Sequence, residues 1–589
     1  MKTKLTALAL GIGLAYAYSP VFAQATISSI GIGNNAAIEQ NASTGAVATI
    51  NQLGNNNVAG VPGTNLGDAP VTTGILQANS TAVSATIGQA GDANSASVAQ
   101  TNAADSTAST SQAGTANLAS TTQTGNVLDA EVTQSGTSNT ATVAQTGTTQ
   151  TAIVSTTNST AGTVSVSQSD SNNTATVLQS TVANQSATVT QTGDSQTATV
   201  VQNNGTRDGS ATVAQAGSSH SANLTQSDTW NATATVTQLG TANSANVDQG
   251  PLADYSTATV FQSGSDHAAS VVQTGATQSG PGSVQKGQYQ ATINQTGGFS
   301  NTASVNQSAG FNDVALVNQI GGYDNTASVT QSGDNNVGTI TQTLDSHDDN
   351  ASIAQAGNDN AATVLQTDTW FSNASIQQSG NFNDATVTQG GLADNSTASI
   401  AQTGNDNQAS IAQAGGSVSL PGSIVQGLYQ ASVTQFGNSN TASVEQTNGY
   451  ADVASVLQIG AFQTASVVQN NGNSSLANIN QTGTLNDATV NQSNAANSSA
   501  SIVQAGANNE GLVNQGDGNL LNSSIAQAGT WNYADIGQFG NGSTATVAQV
   551  GTGAGFAERN TAWILQNGNG FGATITQAGH SNHAAIWQH

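Results

Sequence analysis

The chain has no cysteine, so neither a disulfide framework nor a thiolate metal site can form. Proline is almost missing, with six in 589 residues, and charged residues are 6% and aromatics 4% of the total. Disordered chains are usually rich in charge and proline, so this composition argues against simple disorder as well as against an ordinary globular domain. The few charges are mostly acidic: five Lys and Arg stand against 31 Asp and Glu, a formal net charge of −26. Nucleic acid is therefore a poor partner, since its recognition needs clustered Lys and Arg. The acidity instead favours solubility and mutual repulsion between chains. No apolar run reaches the ~18 residues of a membrane-spanning helix.

What remains is mostly Gly, Ala, Ser, Thr, Asn and Gln, arranged with unusual regularity. Only the N-terminus differs. Lys2 and Lys4 precede an apolar stretch from Leu5 to Ala17, and Val21-Phe22-Ala23 places small residues before Gln24. This reads as an export signal, residues 1–23, cleaved before Gln24. The expected localisation is secreted, at the cell surface or beyond it.

From Gln77 onward a Gln closes a short alternating run at nearly constant spacing: Gln89, Gln100, Gln112, Gln123, Gln134 and Gln145. After one gap the series resumes at Gln168 and continues to Gln566, Gln577 and Gln588; Gln40 and Gln52 fit the same frame. Each unit reads Asn/Ser-x-Ala-x-Val/Ile-x-Gln, as in Asn139, Ala141, Val143 and Gln145, followed by Gly147. Period 2, frequent β-branched residues and a recurrent Gly exclude a helix and predict a strand with a tight turn.

Two units make a coil of about 23 residues, and one coil cannot bury its own face, so coils must stack. The predicted fold is all-β: a parallel β-solenoid of two-strand coils with two facing parallel sheets, cross-β-like. At ~4.8 Å per coil, some two dozen coils would extend about 110 Å. The alternation puts Asn, Ala, Val/Ile and Gln on one face and Ser and Thr on the other. In an in-register stack each inward Gln lies over the Gln of the next coil, so the buried amides satisfy one another and pin the register.

The expected organisation has three parts. Residues 1–23 are the signal. Residues 24–76 hold the first repeats and an insertion around Pro62 and Pro70, and residues 77–589 form the repeats proper. Within these, Asp228-Thr-Trp230, Leu252-Ala-Asp254 and Tyr289-Gln-Ala291 recur, all at one offset, from Asp368, Leu392 and Tyr429. Residues 228–367 and 368–507 thus read as a tandem duplication of six coils.

Five segments carry the pattern Ser-x5-Gln-x4-Asn-x5-Gln: Ser106/Gln112/Asn117/Gln123, Ser372/Gln378/Asn383/Gln389, Ser396/Gln402/Asn407/Gln413, Ser475/Gln481/Asn486/Gln492 and Ser498/Gln504/Asn509/Gln515. This frame resembles the curlin repeat, although the familiar members of that family are far shorter. The resemblance implies a curli-type amyloid fibre subunit of biofilm matrix, exported and active in adhesion and aggregation. Its implied partners are other copies of itself, other curlin-type subunits and an outer-membrane secretion pore, for which residues 24–33 are the place to seek a recognition segment. The twenty residues above are expected to form a structural inward ladder.

Other chemistry is weaker. Asp345-Ser-His347-Asp348-Asp349 lacks the spacing of a calcium loop. His580, His583 and His589 lack a regular metal-ligand spacing, and Gly551-Thr-Gly553-Ala-Gly555 is not followed by the Lys of a phosphate loop. No enzyme, catalytic residue, cofactor or metal site is expected. Trp230, Trp370 and Trp531 fall in turns, where they could pack locally or contact carbohydrate or a neighbouring subunit. Outward Thr pairs such as Thr197/Thr199, Thr233/Thr235 and Thr257/Thr259 leave an alternative, a non-polymerising surface adhesin or ice-binding rod. The two readings differ at the coil edges, and Ala584 to His589 reads as an uncapped repeat, which favours polymerisation. Acidic turn residues such as Asp194, Asp334 and Asp359 are expected to stack near one another and repel.

Overall fold

The computed structural model describes residues 23–59, 64–65, 70–71, 74–275, 277–280, 283–415, 417–420 and 423–589. The expected export signal, Ala23 apart, and Pro62 lie outside the described residues. Two compact units divide the chain, Met1–Tyr289 and Gln290–His589.

Each unit is a parallel β-solenoid built on one rule. Successive strands read alternately buried and exposed, as in Ser210–Ser218, where Ala211, Val213 and Gln215 point inward. Thr212, between them, remains half-exposed. A strand pairs with its equivalent one coil on, not with its sequence neighbour. In the first unit one face runs through Ser186–Asp194, Ser210–Ser218, Thr233–Thr241 and Thr257–Ser265, all parallel. The opposite face runs through Thr174–Ser180, Thr197–Asn203, Ser221–Ser227 and Ser244–Gln249. Register is strict: Val189 aligns with Val213, Val236 and Val260. The second unit repeats this, for example through Asn373–Ser379, Thr397–Thr403, Gln430–Asn438 and Val453–Ala461.

Between the two faces lie columns of Ala and Val or Ile, almost all inaccessible to solvent: Ala187 1%, Val189 0%, Ala398 1% and Ile400 1% exposed. Small and branched residues alternate, so the two sheets approach closely without leaving voids. In two coils the chain stays extended around the corner, giving the long strands Leu118–Thr137 and Thr140–Thr160.

Departures from the coil are local. Antiparallel hairpins interrupt it at Thr277–Gly280 with Ser283–Lys286, and at Ser417–Leu420 with Ser423–Gln426. Where the chain re-enters the stack, Tyr289 and Tyr429 are both fully buried. Their backbone N–H groups donate to Ser256 and Ser396 Oγ, each at 3.0 Å. Likewise Trp230 N donates to Asp254 at 2.7 Å, and Trp370 N to Asp394 at 3.0 Å. A short insertion before Asn560 forms the 3-10 turn Phe556–Glu558.

The acidic turn residues form no continuous row. Asp334 and Asp359 do meet in adjacent coils, where Asp359 N donates to Asp334 O at 2.8 Å. Asp194, however, aligns with Ser171 and Ser218, and Asp334 aligns with Phe311 on its other side. Turn composition varies from coil to coil, so most of the carboxylates are spread among neutral neighbours rather than ranked.

The corners explain the recurrent glycine. Gly404 has φ +122°, and a Cβ there would come within 1.9 Å of the Gly437 carbonyl oxygen in the next coil. Gly404→Ala is expected to impose local strain of about 1–3 kcal/mol. Hydrogen exchange should accelerate in the coils flanking residue 404 while distant coils keep their protection. Unchanged exchange there would contradict the close corner contact.

Candidate functional site: the buried amide ladders

The inward Gln residues are linked into continuous rows. In the first unit one row runs Gln40, Gln77, Gln100, Gln123, Gln145, Gln168, Gln191, Gln215, Gln238 and Gln262, with each Nε2 donating to the next Oε1. In the second unit Gln355, Gln378, Gln402, Gln435 and Gln458 do the same at 2.8 to 2.9 Å. The second N–H of most of these amides donates to a backbone carbonyl, as Gln402 does to Asp384 at 3.0 Å. Both donors and the acceptor of a buried Gln are thereby used, which is the condition for burying a primary amide.

Asn rows occupy the start of the strands on one face of each unit. In the first unit Asn117 Nδ2 donates to Asn94 Oδ1 at 3.0 Å, and Asn139 to Asn117 at 3.1 Å. In the second, Asn360 Nδ2 donates to Asn336 Oδ1, Asn383 to Asn360, and Asn407 to Asn383, each at 3.0 Å. These donate towards the N-terminal coil, whereas the Gln rows donate towards the C-terminal coil. The two rows of amide dipoles therefore run in opposite senses. The second Asn N–H reaches a corner carbonyl of the following coil, as Asn383 does to Gly404 O at 2.8 Å.

All twenty residues of the five Ser-Gln-Asn-Gln frames are at most 2% exposed. They do not form one uniform ladder. The ten Gln residues lie in Gln rows. Besides Gln123, Gln378 and Gln402, already placed, Gln112 donates to Gln134, Gln389 to Gln413, Gln481 to Gln504, Gln492 to Gln515 and Gln504 to Gln527, each at 2.8 Å. Gln413 donates to Gln446 at 2.9 Å, and Gln515 to Gln538 at 3.0 Å.

The Asn members lie in a different row, of opposite sense, and one of them breaks it. Asn509 Nδ2 donates to Asn486 Oδ1 at 3.0 Å, like Asn117, Asn383 and Asn407 to their own predecessors. Asn486 has no Asn before it. Its Nδ2 instead donates to the Thr482 and Gly506 carbonyl oxygens, both at 3.2 Å, so the row restarts there.

The Ser members bond to backbone groups rather than to one another's side chains. Leu128 N donates to Ser106 Oγ at 3.0 Å, Ser372 Oγ donates to Ala393 O at 2.8 Å, and Ser396 Oγ accepts from Tyr429 N as described. Ser475 Oγ donates to Ala495 O at 2.6 Å, and Ser498 Oγ accepts from Leu521 N at 3.1 Å.

The rows have faults. Thr156 stands where a Gln is required, between Gln134 and Gln179. Its Oγ1 and the Gln179 Oε1 are buried without a hydrogen-bond partner. Asp313, Asp349 and Asp452 occupy Asn or Ser positions and are at most 1% exposed. Burial raises the Asp313 and Asp349 carboxyls to about 7 and that of Asp452 to about 6. Asp313 Oδ1 accepts from Asn336 Nδ2 at 3.1 Å, but its Oδ2 has no partner. In an Asn row the equivalent group is a donor, so the protonated acid is the better mimic there. Burial also lowers the basicity of His220.

The other sequence candidates are scattered by the fold. Asp349 points inward and accepts from Ser372 N at 2.8 Å and Thr369 Oγ1 at 2.6 Å. His347 lies instead in an aromatic column along one corner. Tyr323 stacks on Phe299 at 4.9 Å and on His347 at 4.5 Å, and Trp370 follows at 4.2 Å from His347. Sequence reading missed this column because each member stands a full coil from the next; aligning the turns coil by coil would have exposed it. Trp230 is 49% and Trp370 45% exposed at their corners, and Trp531 is half-buried. His580, His583 and His589 are exposed, and His583 bonds Thr561 Oγ1. Gly551 to Gly555 lead into the Phe556 turn. Among the described residues no three His, Asp or Glu side chains are grouped to hold a metal ion.

The profile of the curlin associated repeat matches residues 103–136, 128–157, 472–506 and 524–551. The chain belongs to the curlin-repeat family. No curated protein matches it. The frames at 106–123 and 475–492 fall within the matched segments, and those at 372–389 and 396–413, outside them, carry the same buried rows.

Two outcomes follow from the ladder geometry. Gln402→Leu leaves Gln378 and Gln435 each short of an amide partner, at a cost of ~1–3 kcal/mol. Thr397 is exposed, so Thr397→Val should be close to neutral; equal hydrogen-exchange protection in the two variants would contradict the row. The buried acids make stability pH-dependent. Their folded pKa is raised, so their contribution is full below the unfolded value near 4 and is lost as pH rises through 6 to 7. Between those limits each acid should remove about 1.4 kcal/mol per pH unit. Denaturant titrations from pH 4 to 8 should show stability falling, with a shallower fall in Asp313→Asn.

Proposed function

We propose that the chain is a secreted structural subunit of extracellular, curli-type amyloid fibres that serve adhesion and aggregation in biofilm matrix. One observation carries this reading. Through most of the described coils each presents to the next the same strands, in the same register, with Gln donors and Asn acceptors on one edge and Gln acceptors and Asn donors on the other. A coil of a second copy laid on such an edge would meet the complement that its own neighbour supplies. Family membership supports the reading, and the export signal expected over residues 1–23 supplies the route out of the cell. An outer-membrane pore and other curlin-type subunits are the partners proposed with it.

A second reading has its own observation. Thr188, Thr212, Thr235 and Thr259 are aligned in register on an outer face. Such a row would suit a non-polymerising rod that adheres or binds ice through that face.

Fibre diffraction of the purified chain distinguishes them. Assembly end to end should give a meridional reflection near ~4.7 Å and an equatorial one near ~10 Å. Sedimentation should show loss of monomer as protein concentration rises. A persistent monomer at high concentration without that pattern would overturn the fibre proposal in favour of the rod.

A further inference from the structure

Over most of the solenoid the outer faces carry Ser, Thr, Asn and Ala. One outer face of the second unit changes character between residues 491 and 587. Register places Asn514 beside Gly537, and Gly537 beside Leu565, which is followed by Trp587. The adjacent rows place Gly516 beside Phe539, and Asp535 beside Trp563. Gly516 and Gly537 leave a gap where other coils carry side chains. The result is a groove of about 750 Å³ walled by Phe539, Trp563, Leu565 and Trp587, with Asn491, Asn514 and Asp535 along it. This is in the size range of small-molecule sites.

The groove combines apolar walls with unused polar groups. Trp563 is 39% and Trp587 72% exposed. Asn491 Nδ2 donates to Asn514 Oδ1 at 2.9 Å. The next position in that outer row is Gly537, so the amide row stops and the Asn514 N–H pair has no amide to bond. The Asp535 carboxyl likewise makes no hydrogen bond among the described residues, and burial together with Glu510 raises its pKa. Arg559, the nearby cation, is already engaged: its guanidinium lies 4.1 Å from the Phe556 ring centroid and 4.8 Å from that of Tyr533, and it pairs with Glu510 at 3.8 Å.

We propose that this groove binds a neutral β-linked glycan, its sugar rings laid against Trp563 and Trp587 and its hydroxyls bonded to Asn514 and Asp535. Equatorial substitution leaves such rings with flat faces of C–H groups, which suit indole, while each hydroxyl can both donate and accept. A purely apolar ligand would bury Asn514 and Asp535 unsatisfied. An anion would meet Asp535 and Glu510 in a chain of net charge −26. A cation could use the rings and the carboxylate but would leave the Asn514 donors idle. The site lies on an outer face and is independent of the amide rows that carry the assembly proposal.

The test uses the full chain and calorimetric titration with cellotetraose and chitotetraose, with choline and inorganic phosphate as the cationic and anionic probes. Saturable binding of at least one tetrasaccharide is expected, weakened tenfold or more by Trp563→Ala. Gly537→Val should abolish it by filling the groove. Its backbone is not left-handed, and a Cβ there meets only Leu565 Cδ1 at 3.1 Å and Phe539 Cε2 at 3.6 Å, so an unchanged β-sheet circular dichroism spectrum is expected. No binding of either glycan at millimolar concentration would overturn the proposal. So would equal binding by all three proteins, or binding of choline or phosphate alone. If Trp563→Ala and Gly537→Val alter concentration-dependent association but no glycan binds, the groove is a contact between copies and the proposal fails. Fibre formation without glycan binding would sink this inference and leave the assembly reading standing, and the converse result would do the reverse.

Discussion

A buried primary amide dominates this structure. A Gln side chain has two donors and an acceptor with two lone pairs, and hiding them from water without partners costs more than an aliphatic residue of similar size would return. The parallel in-register stack removes that cost by giving each amide an identical neighbour about one strand spacing away. Once that solution is adopted, much else is constrained. The coil must return to the same place after each circuit, so its length is held nearly constant. The corner must pass another corner at van der Waals distance, so glycine recurs there. The strand between must keep its phase, because a slip of one residue would bury Thr and expose Gln.

The same constraint explains how much could be read from the sequence. The Gln series, the alternation of Ala and Val or Ile, and the Gly-rich turns are all periodic along the chain, so the solenoid and its inward residues were legible from Asn139 to Gln145 alone and from their recurrence. What escaped notice is not periodic along the chain. The opposite sense of the Asn and Gln rows depends on side-chain rotamers, and the restart at Asn486 depends on the residue a coil before it. The column Phe299, Tyr323, His347 and Trp370 and the groove at Gly537 arise from neighbours one coil apart, which become visible only when units are written beneath one another. Tyr289 and Tyr429 served as markers of duplication in the sequence. Their burial follows from hairpins, which lengthen the coil and shift where it rejoins the stack. The expected row of acidic turns is broken for a related reason: turn positions are free of the buried-amide constraint, so nothing requires an acid to recur there from coil to coil.

The faults in the rows show how a repetitive core tolerates error. Thr156 interrupts a Gln row and leaves two oxygen atoms unpaired, and the pairing with the preceding coil slips by one residue just beyond it, between Gln134 and Gly136, while the pairing with the following coil stays in register. Solenoid stability is close to a sum of neighbour terms, so a fault weakens its own coil and little beyond it. Asp313, Asp349 and Asp452 are faults of a different kind. As neutral acids they can both donate and accept, as Asn and Ser do, and as carboxylates they can only accept. Their effect is confined to particular coils but depends on the medium, which makes those coils points where acidity alters a core that is otherwise indifferent to it.

Inside and outside therefore have different freedoms. An inward position answers to its copies above and below, and a substitution there must suit both. An outward position answers only to the preference for strand and to solvent, so the outer rows can hold aligned Thr in one place and Trp563, Trp587 and Asn514 in another without disturbing the stack. Because equivalent positions of successive coils are held side by side at strand spacing, an outer row is also a rigid template: a few substitutions, each a full coil from the next in sequence, become adjacent groups on a flat surface. Recognition on such a scaffold needs no new loop or pocket fold. It needs only two glycines to open a gap and a handful of aromatic and amide side chains in the neighbouring rows.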